Sequence, residues 1–116
     1  MAAQGNEPVH YERDGEIAVI TLDNPPVNAL AKGVRVALQR HLETAVDDAE
    51  VTAIVICGAG RNLCGGADIR EFGKARIDPS LRENIDQLEN CQKPVIAAIH
   101  NTAIGGGCEL ALGCHY

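Results

Sequence analysis

The chain has 116 residues, of which 46% are hydrophobic, 22% charged and 3% aromatic. This suits one small globular domain with a core of Ala, Val, Ile and Leu. The formal net charge of −6, with no Lys/Arg block, argues against non-specific nucleic-acid binding, and no apolar run reaches membrane-spanning length.

The opening "MAAQGNEPVHYERDGE" has neither a signal-peptide apolar stretch nor the look of a basic amphipathic leader. Residues 1–7 are expected to be a flexible N-terminus. Residues 8–13 and 16–22 are predicted as two strands. Asp14-Gly15 between them is a two-residue hairpin signal of the type I′ kind, which needs positive φ at both central positions. The second strand, "EIAVITL", is apolar on both faces, so burial on both sides is expected. "DNPPVN" interrupts regular structure, because two prolines fix φ and bar a helix before Val27. Asn28 is the expected N-cap of the helix after it.

From Ala29 to about Ala49 the pattern is helical. Leu30, Val34, Ala37, Leu38, Leu42, Ala45 and Val46 share one face, and Arg35, Gln39, Arg40 and Glu43 take the other. "TAIVIC", residues 52–57, is a short β-branched run and reads as a buried strand. "GAGRNLCGGADIREFGK" is a glycine-rich loop with one helical turn expected around residues 68–72. Ser80 and Glu83 then form a capping box that opens a helix with Leu81, Ile85 and Leu88 as its apolar stripe. "KPVIAAIH", residues 93–100, is a further buried strand with Pro94 at its start. A second glycine-rich loop, "HNTAIGGG", leads into a last helix, "CELALGC". Strands alternating with helices predict an α/β layered fold.

The five cysteines are odd in number and include no CxxC, which reads as reduced, buried thiols in an intracellular compartment. Cys114-His115 alone is too little for zinc, so no metal is expected. "LALGCHY" stops within an apolar segment, and the expectation is a fragment or truncated isoform.

Both glycine-rich loops directly follow a predicted buried strand. Ligands of open α/β sheets bind beyond the carboxyl ends of strands, so parallel strands would put both loops on one side. Simple turn chemistry is the plain alternative. "GAGRNL" begins like a dinucleotide fingerprint but has Leu63 at the third glycine position and does not open a helix, and no P-loop string occurs. The remaining use is an oxyanion hole, with one backbone N–H from each loop converging on a carbonyl oxygen. Removing one such donor costs about 2.7–4 kcal/mol of transition-state stabilisation. Glu109, just past the glycines, reads equally as a general acid/base in that cavity or as a favourable first-turn acid on the surface. Its apolar setting, "CELAL", favours the cavity, where desolvation and the helix N-terminus would act on its pKa in opposite directions.

These residues carry a family resemblance. "NPPVNAL", "AIVICGAGRNLCGGADIREF" and "QKPVIAAIHNTAIGGGCELALGCHY" resemble the crotonase superfamily, the enoyl-CoA hydratases and isomerases, over about Val9 to Tyr116. The closest likeness is to members that join the hydratase to a 3-hydroxyacyl-CoA dehydrogenase. The resemblance implies the crotonase (ClpP-like) fold of repeated β-β-α units, here its N-terminal half, so residues 8–116 would be a partial enoyl-CoA hydratase/isomerase domain. It implies an acyl-CoA thioester as substrate, with its oxygen held by the N–H groups of Ala67 and Gly106. Ala67, Asp68, Ile69 and Arg70 would contact CoA, and Glu109 would be the first of two catalytic glutamates. Water would add across the 2,3 double bond of a 2-enoyl-CoA, and a glutamate at position 109 leans toward hydration over isomerisation. No cofactor is needed for hydration; NAD would belong only to a dehydrogenase domain following in a longer protein. Self-association is frequent in the family. The most similar members are peroxisomal, with a C-terminal targeting signal outside this sequence.

Two departures, Leu63 for the usual Phe and Gly65 for the usual Ala, read as tolerable. The second glutamate belongs to a segment beyond "GCHY". The expectation is therefore a fatty-acid β-oxidation hydratase by ancestry, a chain of little activity, and marginal stability. The alternative is a non-catalytic truncated isoform that binds acyl-CoA or associates with full-length subunits.

Overall fold

The computed structural model describes residues 7–66, 68–71, 73 and 78–116, with the backbone alone described at Ile69. The expected flexible segment therefore lies, except for Glu7, outside the described residues. Eight apolar-patterned stretches become β1 (Val9–Asp14), β2 (Ile17–Leu22), α1 (Lys32–Asp47), β3 (Ala53–Gly58), a single 3-10 turn (Ile69–Glu71), α2 (Leu81–Glu89), β4 (Val95–Ala97) and α3 (Gly106–Gly113). The strands form one sheet in the order β1-β2-β3-β4. β1 and β2 are antiparallel, whereas β2–β3 and β3–β4 are parallel. This is the strand-strand-helix unit of an α/β layered protein, as the alternation of patterns predicts.

The hairpin differs in its turn. Asp14 pairs with Ile17, so the loop is Gly15-Glu16, one residue later than expected. Gly15 has φ +60, and neither Asp14 nor Glu16 has positive φ, which fits a II′ turn with glycine at its first central position.

Period-2 alternation puts Ala18, Ile20 and Leu22 of β2 and Ile54 and Ile56 of β3 in the core, all 1% exposed or less. α1 covers this face with Val34, Ala37, Leu38, Leu42 and Ala45, and the His41 ring stacks on Tyr11 of β1 with centroids 5.6 Å apart. The other face of β2, with Ile17, Val19 and Thr21, is only half-buried. β2 is thus not buried on both sides, because the packed helix lies against one face alone.

α1 begins later than predicted, and Asn28 is not its N-cap. The cap position is Ala31, which makes no side-chain bond. Glu71, from the 3-10 turn, accepts the Lys32 N–H at 3.0 Å instead. At the other end Lys93 Nζ donates to the carbonyls of Ala45 and Asp48 at 2.8 and 2.7 Å. Both helix ends are thus satisfied by distant side chains, one acidic and one basic, in keeping with the helix dipole.

Two positions on α1 also exchange places. Arg35, predicted outside, is buried, because Glu71 pairs with it at 2.9 Å and the carbonyls of Pro79 and Leu30 accept from its guanidinium. Val46, predicted inside, is 38% exposed on the rim of a groove that Leu42, Gln87 and Cys91 also line.

The capping box forms as the sequence predicts. Glu83 N–H donates to Ser80 Oγ at 3.2 Å, and Ser80 N–H donates to the Glu83 carboxylate at 3.4 Å. Leu88 of α2 is buried, and Leu81 and Ile85 pack half-buried against the core. β4 is three residues long, shorter than residues 93–100 predicted. Ala98 still donates to Ile56 O, but Asn101 takes φ +61 and turns the chain away, leaving Ile99 exposed. After α3, His115 and Tyr116 return beside β4, with Tyr116 O accepting from the Ala97 N–H at 2.9 Å.

Among the described residues no helix is long and apolar enough to cross a membrane. All five cysteines are free. Cys64 is buried, three others are half-buried, and Cys108 is exposed in the first turn of α3, which corrects the expectation that the thiols are uniformly buried.

Candidate active site

The two glycine-rich loops leave the ends of the parallel strands β3 and β4 on the same side of the sheet and meet there. After β3 the chain reverses at Gly58, where a Cβ would collide with Asn62 O and the Leu63 backbone. It then buries Leu63 and Cys64 completely. Cys64 forms a parallel bridge with Ala103 of the second loop. Its N–H donates to Thr102 O at 3.3 Å, and its carbonyl accepts from Ile104 at 3.2 Å. The loop after β3 therefore runs into a strand-like bridge and does not open a helix, unlike a dinucleotide-binding turn.

Each glycine near this junction has its own cause. Gly105 caps α3 with φ +54, a region L-residues rarely adopt. Gly107 presses on the first loop so closely that a Cβ would lie 2.6 Å from Cys64 O. Gly66 has φ +112, and a Cβ there would lie 3.1 Å from Ile104 O and 3.9 Å from Gly106 N. The backbone just before position 67 thus lies against the backbone of Gly106. Gly106 is buried at the N-terminus of α3, and no described group accepts its N–H. Ala67, the other expected amide, lies outside the described residues.

Asp68 is 8% exposed and lies beside the highly exposed Arg70 side chain. Its Oδ1 accepts from the Arg70 backbone N–H at 3.0 Å and from Nε at 2.9 Å, and its Oδ2 accepts from the guanidinium at 2.8 Å. The carboxylate raises the guanidinium pKa further, so Arg70 stays charged. Asp68 and Arg70 line a groove of about 440 Å³ with Asn24, Pro25, Pro26, Val27, Ala29 and Gly65. The 3-10 turn supplies the backbone of Ile69 beside them. A cationic head over a proline-lined groove suits an anionic ligand with an apolar or planar portion.

Glu109 is not in this groove. Its N–H donates to Gly105 O at 2.9 Å, but its side chain is solvent-exposed and lines a shallower groove between α2 and α3, with Arg82, Ile85, Glu89, Leu112 and Gly113. The apolar neighbours in its sequence do not bury it, because Cys108 and Leu112 on the same helix are exposed too. The structure brings the glycine loops together, and Asp68 with Arg70, without closing Glu109 into a common cavity with them.

Sequence reasoning missed the residue that ties the first loop down. Asn28 is buried with φ +58. Its amide nitrogen reaches Ala59 O and Asn62 O at 3.0 Å and Leu63 O at 3.2 Å. The signal was available: an asparagine in a proline-interrupted segment, here Pro25-Pro26-Val27-Asn28, tolerates the left-handed region better than most residues. Cys64 is likewise structural. Burial raises its thiol pKa, and Sγ donates to Asn28 O at 3.1 Å. Burial also pushes the Cys114 thiol up to about 11. The departure at Gly65 proves matched to Val27, whose Cβ would lie 2.7 Å from an added methyl. Alanine there is tolerated only if Val27 moves. No metal-ligating cluster occurs among the described residues.

Comparison with known proteins assigns this arrangement to a class. The family model for enoyl-CoA hydratase/isomerase matches residues 12–116. The chain is 54% identical over 100 residues to the peroxisomal bifunctional enzyme of Danio rerio, which covers 86% of this chain and 14% of that protein. It is 43% identical over 109 residues to a probable enoyl-CoA hydratase of Bacillus subtilis strain 168, covering 88% and 42%. The crystal structure of an enoyl-CoA hydratase/isomerase from Xanthobacter autotrophicus Py2 superposes with a TM-score of 0.82 at 34% identity, covering 93% of this chain and 44% of that one. The chain belongs to the enoyl-CoA hydratase/isomerase family and has the crotonase fold. It spans less than half the length of these relatives.

Proposed function

We propose that this chain carries the first half of an enoyl-CoA hydratase site of fatty-acid β-oxidation. The thioester oxygen of a 2-enoyl-CoA accepts hydrogen bonds from the N–H groups of Ala67 and Gly106. Asp68, Ile69 and Arg70 hold the CoA moiety, with Arg70 opposite its phosphates. Water adds its oxygen to C3, and C2 receives a proton. The negative charge that develops on the thioester oxygen is what the two amides and the α3 N-terminus stabilise. Glu109, in the same first turn of α3 as Gly106, is assigned as one acid/base of a pair, and its exposed side chain has to turn out of the α2–α3 groove toward the thioester to act. The observation that carries this reading is the approach of Gly66 to Gly106, whose N–H is accepted by no group among the described residues. No cofactor takes part in hydration. NAD, implied by resemblance to enzymes with a dehydrogenase domain, would belong to that domain. The name of the Danio rerio relative supports a peroxisomal location.

Hydration of crotonyl-CoA, followed by loss of its enoyl-thioester absorbance, tests the assignment. The expected result is slow hydration that falls to background in Glu109→Gln, since one member of a catalytic unit does little alone. Hydration unchanged in Glu109→Gln would overturn the role of Glu109, and failure to bind crotonyl-CoA would overturn the site.

The second reading is a non-catalytic protein that binds acyl-CoA or associates with full-length subunits. The apolar surface favours it: Ile104, Leu112 and Tyr116 are 59%, 77% and 81% exposed, and association would cover them. Co-purification with a full-length family member, together with crotonyl-CoA binding but no turnover, is the outcome expected from this reading.

A further inference from the structure

Asn28 is a buried polar side chain that the proposed chemistry does not use. Its Oδ1 accepts from the Asn24 N–H at 2.8 Å. Its amide hydrogens are shared among the three carbonyls of Ala59, Asn62 and Leu63. All three acceptors lie in one turn, with their dipoles pointing inward at a single place. Without a donor there they would repel one another and the turn would open.

The backbone around Asn28 grips the same loop further along. Val27 O accepts from the Gly65 N–H at 2.6 Å, Asn28 O accepts from Cys64 Sγ at 3.1 Å, and the Leu30 N–H donates to Gly66 O at 2.8 Å. Cys64 then passes the constraint to Thr102 and Ile104 through its bridge. A continuous set of hydrogen bonds thus runs from Asn24 through Asn28 and the first glycine loop to the segment that begins α3 at Gly106.

We propose that Asn28 is a positioning residue for thioester polarisation, setting through this set of bonds the distance between Gly66 and the Gly106 N–H. This rests on the reading that Gly106 binds the thioester oxygen. A misplacement of about 1 Å in such a site costs on the order of a hundredfold in rate, so a side chain that fixes the loop acts on chemistry without touching substrate.

Two variants test it. Asn28→Gly keeps the left-handed backbone and removes the amide, while Asn28→Asp keeps the shape and replaces the donor by an acceptor. The probe is crotonyl-CoA carrying 13C at the thioester carbonyl, read by difference infrared spectroscopy at saturation beside the affinity for free CoA and a urea midpoint. The unsubstituted protein should shift the carbonyl stretch to lower frequency. A folded variant should bind CoA within about twofold and lose roughly half or more of that shift. A merely structural residue would alter the urea midpoint and leave the shift per bound ligand intact. The full shift in either folded variant overturns the proposal, as does unfolding of both, which would make the role structural. If the unsubstituted protein binds crotonyl-CoA with no shift, the Gly106 reading fails and this one with it.

Discussion

Two glycines of α3 make opposite predictions for the same substitution. At Gly107 an added methyl would lie 2.6 Å from Cys64 O, 2.8 Å from its Cβ and 3.0 Å from its Sγ. The closest of these is about 0.8 Å short of ordinary contact at 3.4 Å. Cys64 has little room to retreat, because its N–H and carbonyl are both bonded to the second loop and its thiol to Asn28. The loop and helix must separate, an overpacking cost of about 1–3 kcal/mol. Set against this is the gain of about 0.5–1 kcal/mol when glycine becomes alanine within a helix. Gly107→Ala should therefore lose about 1 kcal/mol net, the two ranges together allowing up to about 2.5 kcal/mol.

At Gly113 the nearest atom is Ile85 Cγ2 at 3.1 Å, a single methyl that has to give by only a few tenths of an ångström, with backbone at ordinary contact distance. Gly113→Ala should be neutral or gain up to about 0.5 kcal/mol. Urea denaturation of both variants at one pH gives the comparison. Gly107→Ala as stable as the parent, or Gly113→Ala the worse of the two, would refute the view that the loops are held by backbone contact at Cys64.

Glu71 should show two separable contributions. Glu71→Gln removes the charge facing the buried Arg35 yet keeps an oxygen for the Lys32 N–H, and should cost about 2 kcal/mol. Glu71→Ala loses the helix cap as well and should cost about 1 kcal/mol more, so equal urea midpoints for the two variants would contradict the capping role. His41 supplies a pH dependence. Burial lowers its pKa, an effect partly offset by the Val9 carbonyl. A base with a folded pKa below its unfolded value leaves stability unaffected above about pH 6.5, where both states are neutral. As pH falls below that, the unfolded state takes up protons first and stability declines until the folded pKa is passed. His41→Gln should flatten the change in urea midpoint between about pH 7.5 and 5.5, and an unaltered slope would show that the decline comes from other groups.

Local patterns made much of this fold legible. The β-branched apolar runs "EIAVITL" and "TAIVIC" marked β2 and β3, though not which face of β2 is covered. The 3.6-residue period marked α1, and Ser80 with Glu83 marked the start of α2 to the residue. Each depends on neighbours a few positions apart, so the sequence contains both partners of the interaction. The family motifs, "GRNLCGGADI" and "AIGGGCEL", singled out the two glycine loops for the same reason: unusual backbone needs glycine wherever the chain ends up.

What the tertiary structure alone decided involves partners far apart in sequence. The caps of α1 come from Glu71 and Lys93, 39 and at least 45 residues from the groups they satisfy. The burial of Arg35 and the exposure of Val46 arise from what α2 and the 3-10 turn place against them, which the helical period does not encode. Asn28 has the composition of a cap, yet its amide is drawn into three carbonyls more than 30 residues away. Glu109 likewise sits in an apolar sequence but an open groove. Periodicity reports which side chains share a face, and only packing reports whether that face is covered.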